Sequence, residues 1–233
     1  MDTHKMKKPS FDGIDAILID LDNTLFDTSK NKLENMKQFA NTEGDGWSAE
    51  KQSAFSKEQR KLFEQLYNEE ILLEEFLLER GAAFCKAFSI PKSKEEGMAM
   101  VHESIRRSMD LLPGAAEAVK KLAALKLPLC LASNGVYKNQ RGRLEEAGLL
   151  PYFTHLFVSD SMGTIKPNAK FYRHALDVLG VEPSRVIMIG DAERDDILGA
   201  SAVGIRTCYI MGKTDKEIPP EADYYVLGPA DLI

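Results

Sequence analysis

Cysteine is scarce in this chain. Cys85, Cys130 and Cys208 are the only three in 233 residues, far apart and without a C-x-x-C spacing. They read as small core residues of a protein in a reducing compartment. No run of 18 apolar residues occurs, and the first stretch, MDTHKMKKPSFDG, is charged without an apolar segment. The sequence therefore offers neither a membrane span nor a secretory leader, and a cytoplasmic protein without a membrane partner is expected. Concentrated positive charge is also missing. With 30 Lys and Arg against 36 Asp and Glu, the net charge is −6, and the basic residues are scattered. That excludes a nucleic acid polymer as a standing partner. His4, His102, His155 and His174 show no metal-like spacing and read as structural or exposed. There is no internal repeat or low-complexity tract.

What the chain does have is an apolar fraction of 44%, enough to build a core for one α/β domain and something extra. Two textures alternate. From residue 27 to about 108 the pattern is helical: Lys32–Ala40, Ala49–Glu69, Ile71–Phe88 and Lys94–Met109 carry apolar residues at helical spacing among charges. From Leu112 onward helices and short apolar strands alternate. Helices are predicted at Ala115–Leu125, Lys138–Ala147, Asn168–Leu179 and Asp195–Ala202, with Gly180 as the C′ stop of the third. Strands are predicted at Leu129–Ala132, Leu156–Ser159, Val186–Ile189 and Thr207–Ile210. With Ala16–Ile19 these make five strands of a doubly wound, Rossmann-like parallel sheet. The fold class is thus α/β. The expected division is a core domain of residues 1–26 and 109–233, interrupted by a helical domain of residues 27–108.

The stretch AILIDLDNTLFD, residues 16–27, carries the first functional signal. Ala16–Ile19 lacks alternation, as in a strand covered on both faces. Asp20 and Asp22 follow it and project to the same side, roughly 6–7 Å apart. Near a buried edge their repulsion costs on the order of 2–3 kcal/mol at an effective dielectric near 20, and a bound cation would offset it. An Asx-type turn leaving the strand is the plain alternative. The other strand ends bear on that choice. Ser133-Asn134-Gly135 follows the second strand, Ile165-Lys166-Pro167-Asn168 opens a helix after the third, and Gly190-Asp191 follows the fourth. Ligands in doubly wound sheets bind outside the carboxyl ends of strands. Residues suited to phosphate and metal gather there, which a turn at one strand does not predict.

These segments carry a resemblance. DLDNT at 20–24, SNG at 133–135, KPN at 166–168 and GDAERDD at 190–196 are similar to the four motifs of the haloacid dehalogenase-like hydrolases, in the same order. The resemblance implies that Asp20 attacks phosphorus and that Asp22 works as general acid and base. It implies Mg²⁺ as cofactor, held by the Asp20 and Asp191 side chains and the Asp22 carbonyl, with Asp196 supporting the site. Thr24, Ser133, Asn134 and Lys166 would contact the phosphoryl group, with Lys166 offsetting charge. Asp195 stands where many relatives carry Asn, and neither it nor Glu193 is expected as a ligand. The dehalogenases lack an acid corresponding to Asp22, because a halide leaving group needs no proton. The resemblance therefore points to a Mg²⁺-dependent phosphatase acting on a small phosphorylated metabolite, with the helical segment as a cap.

Within the family, RLEEAGLLPYFTHLFVSDSMGTIKPNAKFYRHAL is similar to pyrimidine 5′-nucleotidases, favouring a nucleoside 5′-monophosphate. IDLDNTLFDT and GDAERDDILGA also resemble the N-acylneuraminate-9-phosphate phosphatases, so sugar phosphates stay open. Phosphotransfer of the phosphoglucomutase type would use the same acid. A phospho-accepting signalling module also combines a strand-end Asp, a hydroxyl and a Lys, but at about half this length. Met211-Gly212-Lys213-Thr214 suggests a nucleotide-binding P-loop, but Thr207 stands where that pattern needs glycine. In the helical segment, Trp47 reads as local packing and Arg80 as a solvated helix end.

Overall fold

A computed structural model describes residues 6–212 and 217–233. His4 and the Lys213-Thr214 end of the P-loop-like fragment lie outside these residues. The chain divides into two compact units, one drawn from Met1–Asp27 and Met109–Ile233, the other Thr28–Ser108.

In chain order the elements are β1 (Ala16–Ile19), α1 (Thr28–Glu43), α2 (Ala49–Tyr67), α3 (Leu73–Ala87), α4 (Lys94–Arg106), α5 (Ala115–Ala124) and β2 (Leu129–Ser133). They continue with α6 (Tyr137–Glu146), β3 (His155–Val158), α7 (Ser159–Met162), α8 (Ala169–Leu179), β4 (Val186–Gly190), α9 (Gly199–Ser201), β5 (Arg206–Ile210) and β6 (Tyr224–Val226).

The α/β unit is a six-stranded sheet in the order β3-β2-β1-β4-β5-β6. Every neighbouring pair is parallel. The strand order reverses between β1 and β4, which are paired from Ala16↔Val186 to Ile19↔Ile189. That is the switch point at which an open parallel sheet leaves a crevice at its carboxyl edge. The lack of alternation in β1 is explained by its surroundings. Ile17 and Ile19 pack into one cluster with Val119, Leu122, Leu131 and Ile189. Ala16 and Leu18 pack into another with Phe171, Tyr172 and Met188 on the opposite face. Each fully buried aliphatic of the strand contributes about 1.5–3 kcal/mol.

The expected sheet is present with one addition. β6 is three residues long and pairs with β5 through Cys208↔Tyr224 to Ile210↔Val226. A segment that short, without a flanking helical pattern, has no periodicity to read. The second difference falls at Asp195–Ala202, expected as one helix. The chain instead makes a π-helical turn over Glu193–Leu198 and only then the short α9. Single π turns of this kind recur at functional sites, because the extra residue re-aims a side chain. Gly180 adopts φ 65° at the end of α8, the left-handed C-cap its position suggests.

The helical unit has a core of its own, built from Met36, Phe55, Phe84, Phe88, Met100 and Val101 among others. Ser48 caps α2, and a reciprocal Ser93–Glu96 capping box starts α4. Trp47 stacks on Phe88 with ring centroids 4.5 Å apart, as local packing requires. Arg80 departs from its reading as a solvated helix end: it lies on the inner face of α3 and is only 8% exposed. Among the described residues, no helix is long and apolar enough to cross a membrane. The three cysteines are free and buried.

Candidate active site

Asp20 leaves β1 with its backbone N–H still donating to Ile189, 2.9 Å away, so the sheet holds it against β4. The next residues form a tight loop. Asn23 takes φ 63°, a conformation asparagine tolerates, and the N–H groups of Leu25 and Phe26 both donate to Leu21. This turn buries Thr24 and brings its hydroxyl to Asp191, 3.4 Å away at the end of β4.

Lys166 is the centre of the buried part. It is 2% exposed, and its ammonium donates to Asp20 (2.8 Å), Asp196 (2.6 Å) and the carbonyl of Ala132 (2.7 Å). All three of its protons are therefore placed. The side chain of Asn134 fixes the Lys166 backbone: its oxygen accepts from the Lys166 N–H at 2.7 Å and its amide donates to the Lys166 carbonyl at 2.8 Å. Asn134, expected among the phosphate contacts, thus has its side chain engaged in holding a loop. Asp196 is brought inward by the π-helical turn, where its second oxygen accepts from the N–H of Ala192 at 3.0 Å. Any side chain at position 190 would overlap the Asp196 carboxylate, so glycine ends β4.

Burial pushes the Asp20 carboxyl up. Lys166 opposes that shift, while Asp196 and Asp22 add to it. Asp196 is likewise pushed up, again by burial first, with Lys166 opposing. For Lys166 burial favours the neutral amine, but Asp196 and Asp20 outweigh it and its pKa rises, keeping it charged. Oxygens of Asp20, Asp191 and Asp196 all lie within 4.8 Å of one another. Two of these three carboxylates contact the Lys166 ammonium, and together the three make an all-oxygen set that suits a hard divalent cation.

Asp22 occupies a separate setting beside this group. One oxygen accepts from Arg143 at 2.6 Å and the other from Gln140 at 2.8 Å. Arg143 is completely buried and sits over the Phe26 ring, 4.5 Å from its centroid. It also donates to Gln140 at 3.0 Å, and Gln140 donates to the Ser133 hydroxyl at 2.8 Å. Gly135 allows this, because a β-carbon there would overlap the Gln140 amide. Ser133, Gln140, Arg143 and Asp22 form one connected network, with Asp22 itself part-exposed.

Every sequence-expected site residue falls at this edge of the sheet, in two groups. Asp20, Asp191, Asp196, Thr24 and Lys166 surround the carboxylate cluster; Asp22 and Ser133 belong to the Gln140–Arg143 network, and Asn134 holds the Lys166 loop. Glu193 is exposed, and Asp195 is turned toward Asn134, 3.2 Å from its amide nitrogen. Neither belongs to the carboxylate group. Gln140, Arg143 and Tyr172 escaped the sequence reading. Tyr172 donates to the Asp195 carbonyl at 2.5 Å. Gln140 and Arg143 are three apart on α6 and so share a face, but in a stretch reading YKNQRGRLEE two polar residues look like any solvated helix surface.

The chain is similar to several known proteins. The chain is 28% identical over 222 residues to pyrimidine 5′-nucleotidase PynA of Streptococcus pneumoniae, covering 93% of this chain and 92% of that one. It is also 28% identical over 241 residues to a glyceraldehyde 3-phosphate phosphatase of Pyrococcus furiosus, covering 94% and 92%. Among solved structures, HAD-hydrolase YfnB from Bacillus subtilis, determined bound to magnesium, superposes with a TM-score of 0.80 at 20% identity over 96% of both chains. L-2-haloacid dehalogenase from Xanthobacter autotrophicus superposes with a TM-score of 0.72 at 18% identity over 94% of this chain and 96% of that one. At such identities the likeness is one of fold. The family model for haloacid dehalogenase-like hydrolases matches residues 14–204, from the residue two before β1 to beyond the π-helical turn, and the chain belongs to that family of enzymes.

Proposed function

We propose that this hydrolase is a phosphomonoesterase that removes phosphate from a small cytoplasmic metabolite through an aspartyl-phosphate on Asp20, with Mg²⁺ as cofactor. The observation that carries the reading is the convergence of Asp20, Asp191 and Asp196 within 4.8 Å, with a buried, charged Lys166 against two of them. The Asp20 and Asp191 side chains and the Asp22 carbonyl would hold Mg²⁺, with Asp196 supporting them. Bound there, the ion would offset the charge between the attacking carboxylate and the phosphoryl oxygens.

In this reading an Asp20 oxygen attacks phosphorus while the bond to the leaving oxygen breaks. Asp22 gives that oxygen a proton. It then takes one from the water that attacks the aspartyl-phosphate, releasing phosphate and restoring Asp20. Lys166 exchanges one protein contact for a phosphoryl oxygen, and the Thr24 and Ser133 hydroxyls complete the phosphate contacts. Arg143 and Gln140 hold Asp22 by both oxygens, which sets its direction. A dehalogenase has no use for such an acid, and this supports hydrolysis of phosphate esters over carbon–halogen bonds. The Thr28–Ser108 unit is assigned the part of a cap, excluding water during turnover. Relatives named as pyrimidine 5′-nucleotidases support a nucleoside 5′-monophosphate as the substrate.

The test is phosphate release with Mg²⁺ from nucleoside monophosphates, sugar phosphates, sialic acid 9-phosphate and an aryl phosphate, with Asp20→Asn run alongside. Release that needs Asp20 and favours nucleoside monophosphates is expected. Release that persists in Asp20→Asn would overturn the mechanism.

A further inference from the structure

Helix α3 buries a positive charge that no described residue neutralises. Arg80 is 8% exposed, its guanidinium lies over the Phe76 ring 5.2 Å from the centroid, and its Nε is buried with no hydrogen-bond acceptor among the described residues. The carboxylates adjoining Arg80 and His102 in sequence are committed elsewhere. Glu79 pairs with Lys94. Glu103 takes both Arg106 (2.6 Å) and Arg107 (2.8 Å). Beside Arg80 stands His102 of α4, whose imidazole is pushed down to about 4 by burial and by the Arg80 charge. The neighbour therefore stays neutral and does not add a second positive charge near pH 7.

An apolar residue of similar volume would be at least as stable in that place, because a buried ion without an anionic partner carries a desolvation penalty that the Phe76 ring only partly offsets. The guanidinium presents a planar fork that matches a carboxylate or phosphate, and its packing on Phe76 fixes that plane. We propose that Arg80 is an anion-binding point of the helical unit, taking a carboxylate or phosphate oxyanion of a small ligand, with His102 lining the position. The proposal stands independently of the hydrolytic mechanism. The oxyanion is that of a free small anion, a phosphate or a dicarboxylate.

The experiment follows the histidine imidazole resonances of the full-length protein by NMR while inorganic phosphate, and separately malonate, is added. A saturable shift of His102 is expected with at least one of the two. His155 and His174, on the α/β unit, serve as internal references. In Arg80→Gln the apparent affinity should fall about tenfold or more, with partial recovery in Arg80→Lys. No saturable His102 shift with either anion, or one that survives in Arg80→Gln, would overturn the site. Arg80→Met should melt no lower than the parent; a drop of several degrees would make Arg80 a structural residue and overturn the proposal as well.

Discussion

The two units bury charge in opposite ways. The α/β unit closes its ionic groups into networks: Lys166 contacts Asp20 and Asp196, and Arg143 contacts Asp22 while lying over Phe26. The helical unit buries Arg80 with no carboxylate among the described residues and leaves its ion pairs at the surface. Buried pairs are expensive to break and add little to stability when intact. The α/β network is therefore better explained by chemistry that needs those groups oriented than by folding. An unpaired charge is more costly still, so the same logic assigns Arg80 to a ligand. The surface pairs of the helical unit, by contrast, contribute about 0–1 kcal/mol each and explain neither function nor fold.

The largest effect that tests this contrast is expected from Asp20→Asn. Turnover should fall roughly 10³-fold or more, since the amide cannot form the acyl-phosphate. The melting temperature should hold or rise, because Lys166 keeps its pair with Asp196 while a charge crowded by burial and by two other carboxylates is removed. Retained activity with a lower melting temperature would turn the cluster into a structural one. Next in size are changes at Asp22. Asp22→Asn should lose much more rate on alkyl phosphates, whose leaving groups need a proton, than on activated aryl phosphates. Arg143→Met should show the same leaving-group pattern more weakly, about 10- to 100-fold on alkyl esters, since Gln140 still holds one oxygen. Equal losses on both ester types would sink the acid–base role. The carboxylate group itself is tested by metal removal, and the graded effect there is smaller. EDTA should stop turnover and Mg²⁺ restore it, with Asp191→Ala requiring about tenfold more Mg²⁺ or beyond. Activity without any divalent ion would contradict the carboxylate group as a cation site.

How much of this was readable from the chain follows from where the signals sit. The buried strands of the sheet announced themselves by apolar runs, and the acids at their ends by their position. Asp20, Asp22, Lys166 and Asp191 could be assembled on one edge before any coordinates, because parallel topology aligns carboxyl ends. The partners of Asp22 could not. Gln140 and Arg143 lie on a helix whose composition is that of a solvated surface, and burial there is decided by Phe26 and Ser133, more than a hundred and seven residues away in sequence respectively. Arg80 was hidden for the same reason: a lone arginine near the middle of α3 has no local pattern that distinguishes burial from exposure. The π-helical turn that turns Asp196 inward has a helix-like sequence, and only the hydrogen bonds of Ala192 and Lys166 show its purpose.

The smallest expected effect separates the two units by pH. His102 titrates near 4 in the folded protein and near 6.5 unfolded, so between these values the unfolded chain binds more protons. Its contribution to stability is therefore full above about 6.5 and is lost as the pH falls toward 4. Glu103, held down to about 2 by Arg106 and Arg107 with burial opposing, adds a loss of the same sign below about 4.5. In the metal-free α/β unit the sign is reversed. Asp20 and Asp196 have raised folded values, so they retain protons the unfolded chain has released, and acidification relieves their repulsion. The whole-protein melting curve mixes the two, and His102→Gln isolates one. Allowing for the partial exposure of the imidazole, the histidine accounts for about 1–2 kcal/mol between pH 7 and 4.5. The parent should lose a few degrees more than His102→Gln over that range. An identical pH dependence in both proteins would mean that His102 is protonated as easily folded as unfolded, and that Arg80 does not bear on it.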